Sequence, residues 1–149
     1  MLFRSLGAAY SYRTSLVSEA TGEWGTYRAS ARNSTSINRK KYLDTNNIPG
    51  LDHHNLWTVE LAGHWGGLRY EAAYVADNVL FKETPTLNFN GWYAQAGYLL
   101  FGGKQRYDAN GAKYTKVERG RKWGDIELCG RYEFCNLNSG TVYGGCAEA

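Results

Sequence analysis

Residues 55–75 read NLWTVELAGHWGGLRYEAAYV, two alternating runs hinged on a Gly66-Gly67 dipeptide. Two glycines between alternating segments are a strong signal for a tight two-residue β-hairpin turn. Pairing the runs across it sets Trp65 opposite Leu68, Gly63 opposite Tyr70, Leu61 opposite Ala72, Val59 opposite Tyr74 and Trp57 opposite Ala76. That face is wholly apolar or aromatic. The other carries His64 with Arg69, Ala62 with Glu71, Glu60 with Ala73 and Thr58 with Val75. The buried face of a soluble sheet favours branched aliphatics over Trp, Tyr, Gly and Ala. Trp57 and Trp65 stand eight residues apart, which at about 3.3 Å per residue and a tilt near 40° spans about 20 Å of depth. An apolar band of that height with an aromatic at each edge is the signature of a strand that crosses a membrane.

Composition supports this class. The chain has 149 residues with 12 Tyr, 5 Trp, 18 Gly and only 2 Pro, and its mean hydropathy is -0.52. No run approaches the ~18 apolar residues of a membrane helix. Barrel strands look hydrophilic on average because only every second residue meets lipid. A net charge of +3 is too mild to argue for nucleic acid. No signal peptide opens the chain, so it reads as an internal piece of a longer protein.

The same alternation runs through the rest. Leu6, Ala8, Tyr10 and Tyr12 against Gly7, Ala9, Ser11 and Arg13 give a first strand. Residues 23–33 give a second, with Tyr27, Ala29 and Ala31 on one face and Arg28 and Arg32 on the other. Residues 34–53 are polar, carry Pro49-Gly50 and read as a long loop. After the hairpin and a loop at 78–90, Trp92, Ala94, Ala96, Tyr98 and Leu100 mark a fifth strand. Ile126, Leu128, Gly130, Tyr132 and Phe134 mark a sixth, against Asp125, Glu127, Cys129, Arg131 and Glu133. The reading is an all-β, antiparallel up-and-down meander of about six transmembrane strands, with no helical periodicity.

Several pieces together resemble a known family. They are Lys41-Tyr-Leu-Asp-Thr, Ile48-Pro-Gly-Leu-Asp-His-His-Asn-Leu, Glu60-Leu-Ala, Tyr70-Glu-Ala-Ala-Tyr-Val, Gly91-Trp-Tyr-Ala-Gln-Ala-Gly-Tyr-Leu-Leu and Gly124-Asp-Ile-Glu-Leu-Cys-Gly-Arg-Tyr-Glu-Phe. In order and spacing they are similar to the C-terminal half of the phosphate-selective porin O and P family, over roughly residues 20–140. The resemblance implies part of a 16-stranded barrel in the outer membrane of a Gram-negative bacterium, a homotrimer when complete, with membrane lipid and small anions as partners. It implies no enzyme, no cofactor and no nucleic acid. By this mapping the chain lacks its early strands, ends in the loop before the last strand and does not function alone. The tight Gly66-Gly67 turn is then periplasmic, loops 34–53 and 78–90 extracellular, and connection 102–123 a long periplasmic turn that folds into the lumen.

Charge, not catalysis, carries the chemistry. Segment 104–122 holds Lys104, Arg106, Lys113, Lys116, Arg119, Arg121 and Lys122 against Asp108 and Glu118, seven positive minus two negative, or +5. Inside a pore such a segment concentrates anions by field focusing, and the planar fork of arginine suits oxyanions. Outside one, it is a solvated loop. Its Asp108-Ala-Asn-Gly-Ala run suits a small hairpin. On the strands' polar face the candidates are Arg28, Arg32, Arg69 and Arg131, each of which could equally be a salt-bridged strut. Arg28 and Arg32, with no acid on their own strand's polar face, are the better pore candidates.

Other signals are weak. His53, His54 and His64 have no metal spacing with cysteines or carboxylates. Cys129 and Cys135 lie six residues apart on one strand, about 20 Å and too far to bond. Cys135 with Cys146 is open geometrically. No nucleophile–base motif or phosphate loop appears. The alternative from another class is a soluble or surface-attached β-sheet module that binds carbohydrate through its tyrosines and tryptophans.

Overall fold

A computed structural model describes residues 2–15, 22–32, 41–108, 110, 111 and 113–148. The described chain is all β. Its strands are β1 (Leu2–Thr14), β2 (Thr26–Tyr27), β3 (Ser30–Arg32), β4 (Lys41–Asp44), β5 (Ile48–Pro49), β6 (Leu51–Trp65), β7 (Leu68–Phe81), β8 (Leu87–Leu99), β9 (Tyr107–Asp108), β10 (Lys113–Tyr114), β11 (Glu127–Ser139) and β12 (Val142–Glu148). Six form one sheet in the order β1-β6-β7-β8-β11-β12. The meander expected from alternation is present, built on neighbours in sequence.

Its membership differs from the sequence reading in two places. The second strand read at 23–33 is outside the large sheet. Its described part breaks into β2 and β3, which pair with β5 and β4 as separate two-stranded ribbons. Loop 34–53 therefore contains two short strands, and β6 begins at Leu51; residues 33–40 lie outside the described set. At the other end, the sixth strand runs on to Ser139, and residues expected to be a loop return as β12. The loop at 78–90 shrinks to 82–86, because β7 continues to Phe81 and β8 starts at Leu87.

The Gly66-Gly67 turn joins β6 to β7 as the dipeptide required. Gly66 takes φ 57°, the left-handed value that a primed hairpin turn demands and that a side chain resists. Around it, alternate residues point outward and stay uncovered: Leu61, Trp65, Tyr98, Leu100, Ile126, and Leu128 at 68% exposure. A water-soluble monomer rarely leaves so large an apolar surface bare.

By contact, the chain divides into two compact units, to both of which the long strands contribute. One comprises Met1–Gly7, Val59–Ala73 and Tyr93–Tyr132, the other Ala8–Thr58, Tyr74–Trp92 and Glu133–Ala149. The second has its own hydrophobic core of Leu43, Leu51, Val79, Leu87, Phe89 and Leu137, with Tyr27, Ala29, Ala31 and Ile48 packed on it. The short ribbons thus exist because their apolar residues are buried here, and Leu43 and Ile48 were hidden in a polar-looking stretch. Cys135 and Cys146 are both free thiols. Cys135 faces Ala147 and Asn136 faces Cys146 across β11 and β12, so the two sulfurs leave opposite faces of the sheet.

Candidate functional site

The basic connection between β8 and β11 is tied at both ends to one carboxylate. Asp125 accepts from the N–H groups of Phe101, Gly103 and its neighbour Ile126 at 2.9 Å each, and from Gly120 at 3.3 Å. Partial burial works against its charge, but the donors of Phe101, Ile126, Gly103 and Gly120 outweigh burial and hold its pKa below the ordinary aspartate value. Further in, Lys104 and Glu118 bridge through their backbones, 2.9 Å in both directions. Gln105 N–H donates to the Gly66 carbonyl at 2.8 Å and Leu99 N–H to Gly67 at 3.1 Å. The hairpin turn is thereby stitched to the root of the connection.

From that root the segment doubles back as a small hairpin. β9 and β10 pair Tyr107 with Tyr114 and Asp108 with Lys113, the turn that the Asp108-to-Ala112 run suggested, with Ala109 and Ala112 outside the described residues. The hairpin lies on the polar face of the sheet. Tyr114 Oη donates to the Gly63 carbonyl at 2.7 Å, its phenol raised above the usual tyrosine pKa chiefly by burial and further by Glu71. Between hairpin and strands is a cavity of about 370 Å³, lined by Glu60, Glu71, Tyr93, Tyr107, Lys113 and Tyr114 among others.

The wall beneath is a chain of polar contacts. Arg69 Nε lies 2.6 Å from Glu127 Oε1, which also accepts from Gln105 Nε2 at 3.0 Å. Glu71 accepts from the Gln95 amide, whose oxygen accepts from Arg131 Nη1 at 3.1 Å. The Arg131 guanidinium sits 4.4 Å over the Tyr93 ring. Arg69 and Arg131 are thus held by neighbouring strands, as struts are.

The remaining candidates divide. Arg28 forms a two-pronged pair with Asp44, Nε to Oδ1 at 2.8 Å. That hydrogen bond, outweighing Asp44's partial desolvation, lowers the Asp44 pKa to about 2. The absence of an acid on its own strand, which favoured Arg28, is made good by β4. Arg32 is exposed on β3. Both belong to the second unit and are not among the groups gathered here. Arg106 pairs with Glu118 at 3.0 Å. Lys113 lines the cavity, while Lys104, Lys116, Arg119 and Lys122 are exposed. Arg121 lies 4.3 Å over Phe101. Sequence reasoning missed Gln95, Gln105 and Tyr114, neutral groups whose only signal was their place on or beside the polar face.

The basic segment thus lies on the polar face of a sheet whose other face is bare and apolar. The family model for phosphate-selective porin O and P matches residues 3–148. The chain belongs to that family. No curated protein and no solved structure shows a match. Porins of this family are outer-membrane channels, which makes the chain part of a channel rather than an enzyme, set in membrane lipid and concerned with small anions.

Proposed function

We propose that this chain forms a section of the wall of an outer-membrane porin that passes phosphate and polyphosphate-like anions by passive diffusion, with the basic connection steering them. The observation that carries the reading is the β9–β10 hairpin held on the polar face by Tyr114, with Lys113 at the cavity beneath. Wall arginines held by Glu127 and Gln95 serve the frame; Lys113, Lys116 and Arg119 supply the attractive field. Arg28, in its Asp44 pair, braces the ribbons. Six strands are fewer than any closed single-chain barrel uses, and β1 and β12 are the edges of the sheet. The working channel therefore needs further strands, and trimers are the assembly the family resemblance implies.

The test is conductance of the full-length protein containing this segment in a planar bilayer, with reversal potentials across a chloride gradient and with added phosphate. Changing Lys113, Lys116 and Arg119 together to Gln is expected to lower anion selectivity. Unchanged selectivity would return the segment to a solvated loop. A folded membrane protein that never conducts would favour the carbohydrate-binding module.

A further inference from the structure

The end of the basic connection differs chemically from its middle. Arg121 and Gly124 close a tight bridge, Gly124 N–H donating to the Arg121 carbonyl at 3.2 Å. Lys122 and Trp123 stand at its apex, and Trp123 is 67% exposed. The Arg121 guanidinium is 4.3 Å from the Phe101 ring centre and 5.6 Å from that of Trp123, while the two rings meet edge-on at 5.2 Å. Stacking of this kind occupies the flat faces of the guanidinium and leaves its in-plane N–H donors for an oxyanion. Among the described residues no carboxylate pairs with Arg121 or Lys122. The acids nearest in sequence are already engaged, Glu118 with Arg106 and Asp125 with backbone N–H groups.

This cationic, aromatic tip runs straight into the bare apolar face. Leu100 N–H donates to the Ile126 carbonyl at 2.9 Å, and Leu100, Ile126, Leu128 and Tyr98 are all exposed. Two cations without counter-ions, a bare indole and an adjoining apolar surface ask for a partner that is anionic at one end and apolar at the other. Free phosphate would leave Trp123 and Phe101 uncovered. A phospholipid at the water boundary satisfies all of them, the indole at the headgroup level and the cations on the phosphate.

We propose that Arg121 and Lys122 bind the headgroup phosphate of a phospholipid in the leaflet that meets this end of the strands, with Trp123 and Phe101 against its glycerol and upper acyl chain. The inference rests on the apolar face meeting lipid, as the porin reading requires. It removes Arg121 and Lys122 from the pore and gives them to the rim.

Native mass spectrometry of the full-length protein released from vesicles containing phosphatidylglycerol tests it. Retention of phosphatidylglycerol is expected to weaken about five-fold for each cation removed in Arg121→Gln and Lys122→Gln. It should weaken independently in Trp123→Ala, with heat-modifiable gel migration showing that each variant still folds. Equal retention by wild type and folded variants would overturn the proposal. So would unaltered retention with a shifted reversal potential in the double variant, which would put the tip in the pore. A wild-type protein that neither conducts nor retains lipid would instead mark failure of the porin reading.

Discussion

Gly120 shows what a single residue holds in this structure. A Cβ there would run into the Phe101 carbonyl and crowd the Gly103 nitrogen, because the outgoing and returning arms of the connection pass backbone to backbone. Gly120→Ala should therefore loosen the root of the connection, seen as faster proteolysis within 104–122 while the strands stay protected. Asp125→Asn should do the same, since two of the four N–H donors would face a neutral oxygen and the other two an amide NH2 that cannot accept. Asp125 and Asp44 both have depressed folded-state pKa values, so both make pH-dependent contributions. For Asp44, lowered from 3.8 to about 2 by Arg28, the contribution is complete above pH ~4 and fades as pH falls toward 2. Protease protection of the β3–β4 ribbon should follow that course, and Arg28→Gln should flatten it. None of these partners was legible in the sequence, because Arg28 meets Asp44 across strands and Asp125 serves backbone atoms that carry no residue signature.

At the scale of elements, alternation was the readable signal wherever one face of a strand is bare and the other polar. It placed β1, β6, β7, β8 and most of β11, since each residue type there is dictated by its side of the sheet. It failed at β2 to β5, where the strands are two to four residues long and too short to show a period. Their stability comes from burial of Leu43, Leu51 and Ile48 in a core that only tertiary structure creates. Leu61 and Leu128 lie on the bare face; Leu61→Arg, midway between Trp57 and Trp65, should cost about 2–4 kcal/mol, and Leu128→Arg, near the rim at the start of β11, less. Denaturant unfolding in lipid measures this, and neutral behaviour of both would refute the lipid-facing assignment. The connection is pinned differently. Tyr114→Phe removes one hydrogen bond to Gly63, worth about 1 kcal/mol, and should free the β9–β10 hairpin to proteolysis without unfolding the sheet.

At the scale of the whole molecule, the open edges of the six-stranded sheet decide what it can do by itself. Among the described residues β1 and β12 are the sheet's edges, and backbone left unpaired there cannot be satisfied by lipid. Expressed without further strands, the segment should give no heat-modifiable monomer and no stepwise conductance, while the full-length protein gives both. The family was legible because the strand pieces occur in order, and the docking of the basic connection on the polar face was not, because a free loop and a docked one share the same charges. The single carboxylate of Asp125 has a last consequence. By gathering Phe101, Gly103 and Gly120, it closes the neck of the connection where it leaves the wall, so the entropy of closing that loop is met at the neck and depends little on the length beyond it. Residues 106–117 thus behave as an interchangeable cartridge. Lineages or engineers can exchange its charge pattern, and on the proposed reading the solutes admitted with it, while the wall is left to fold as before.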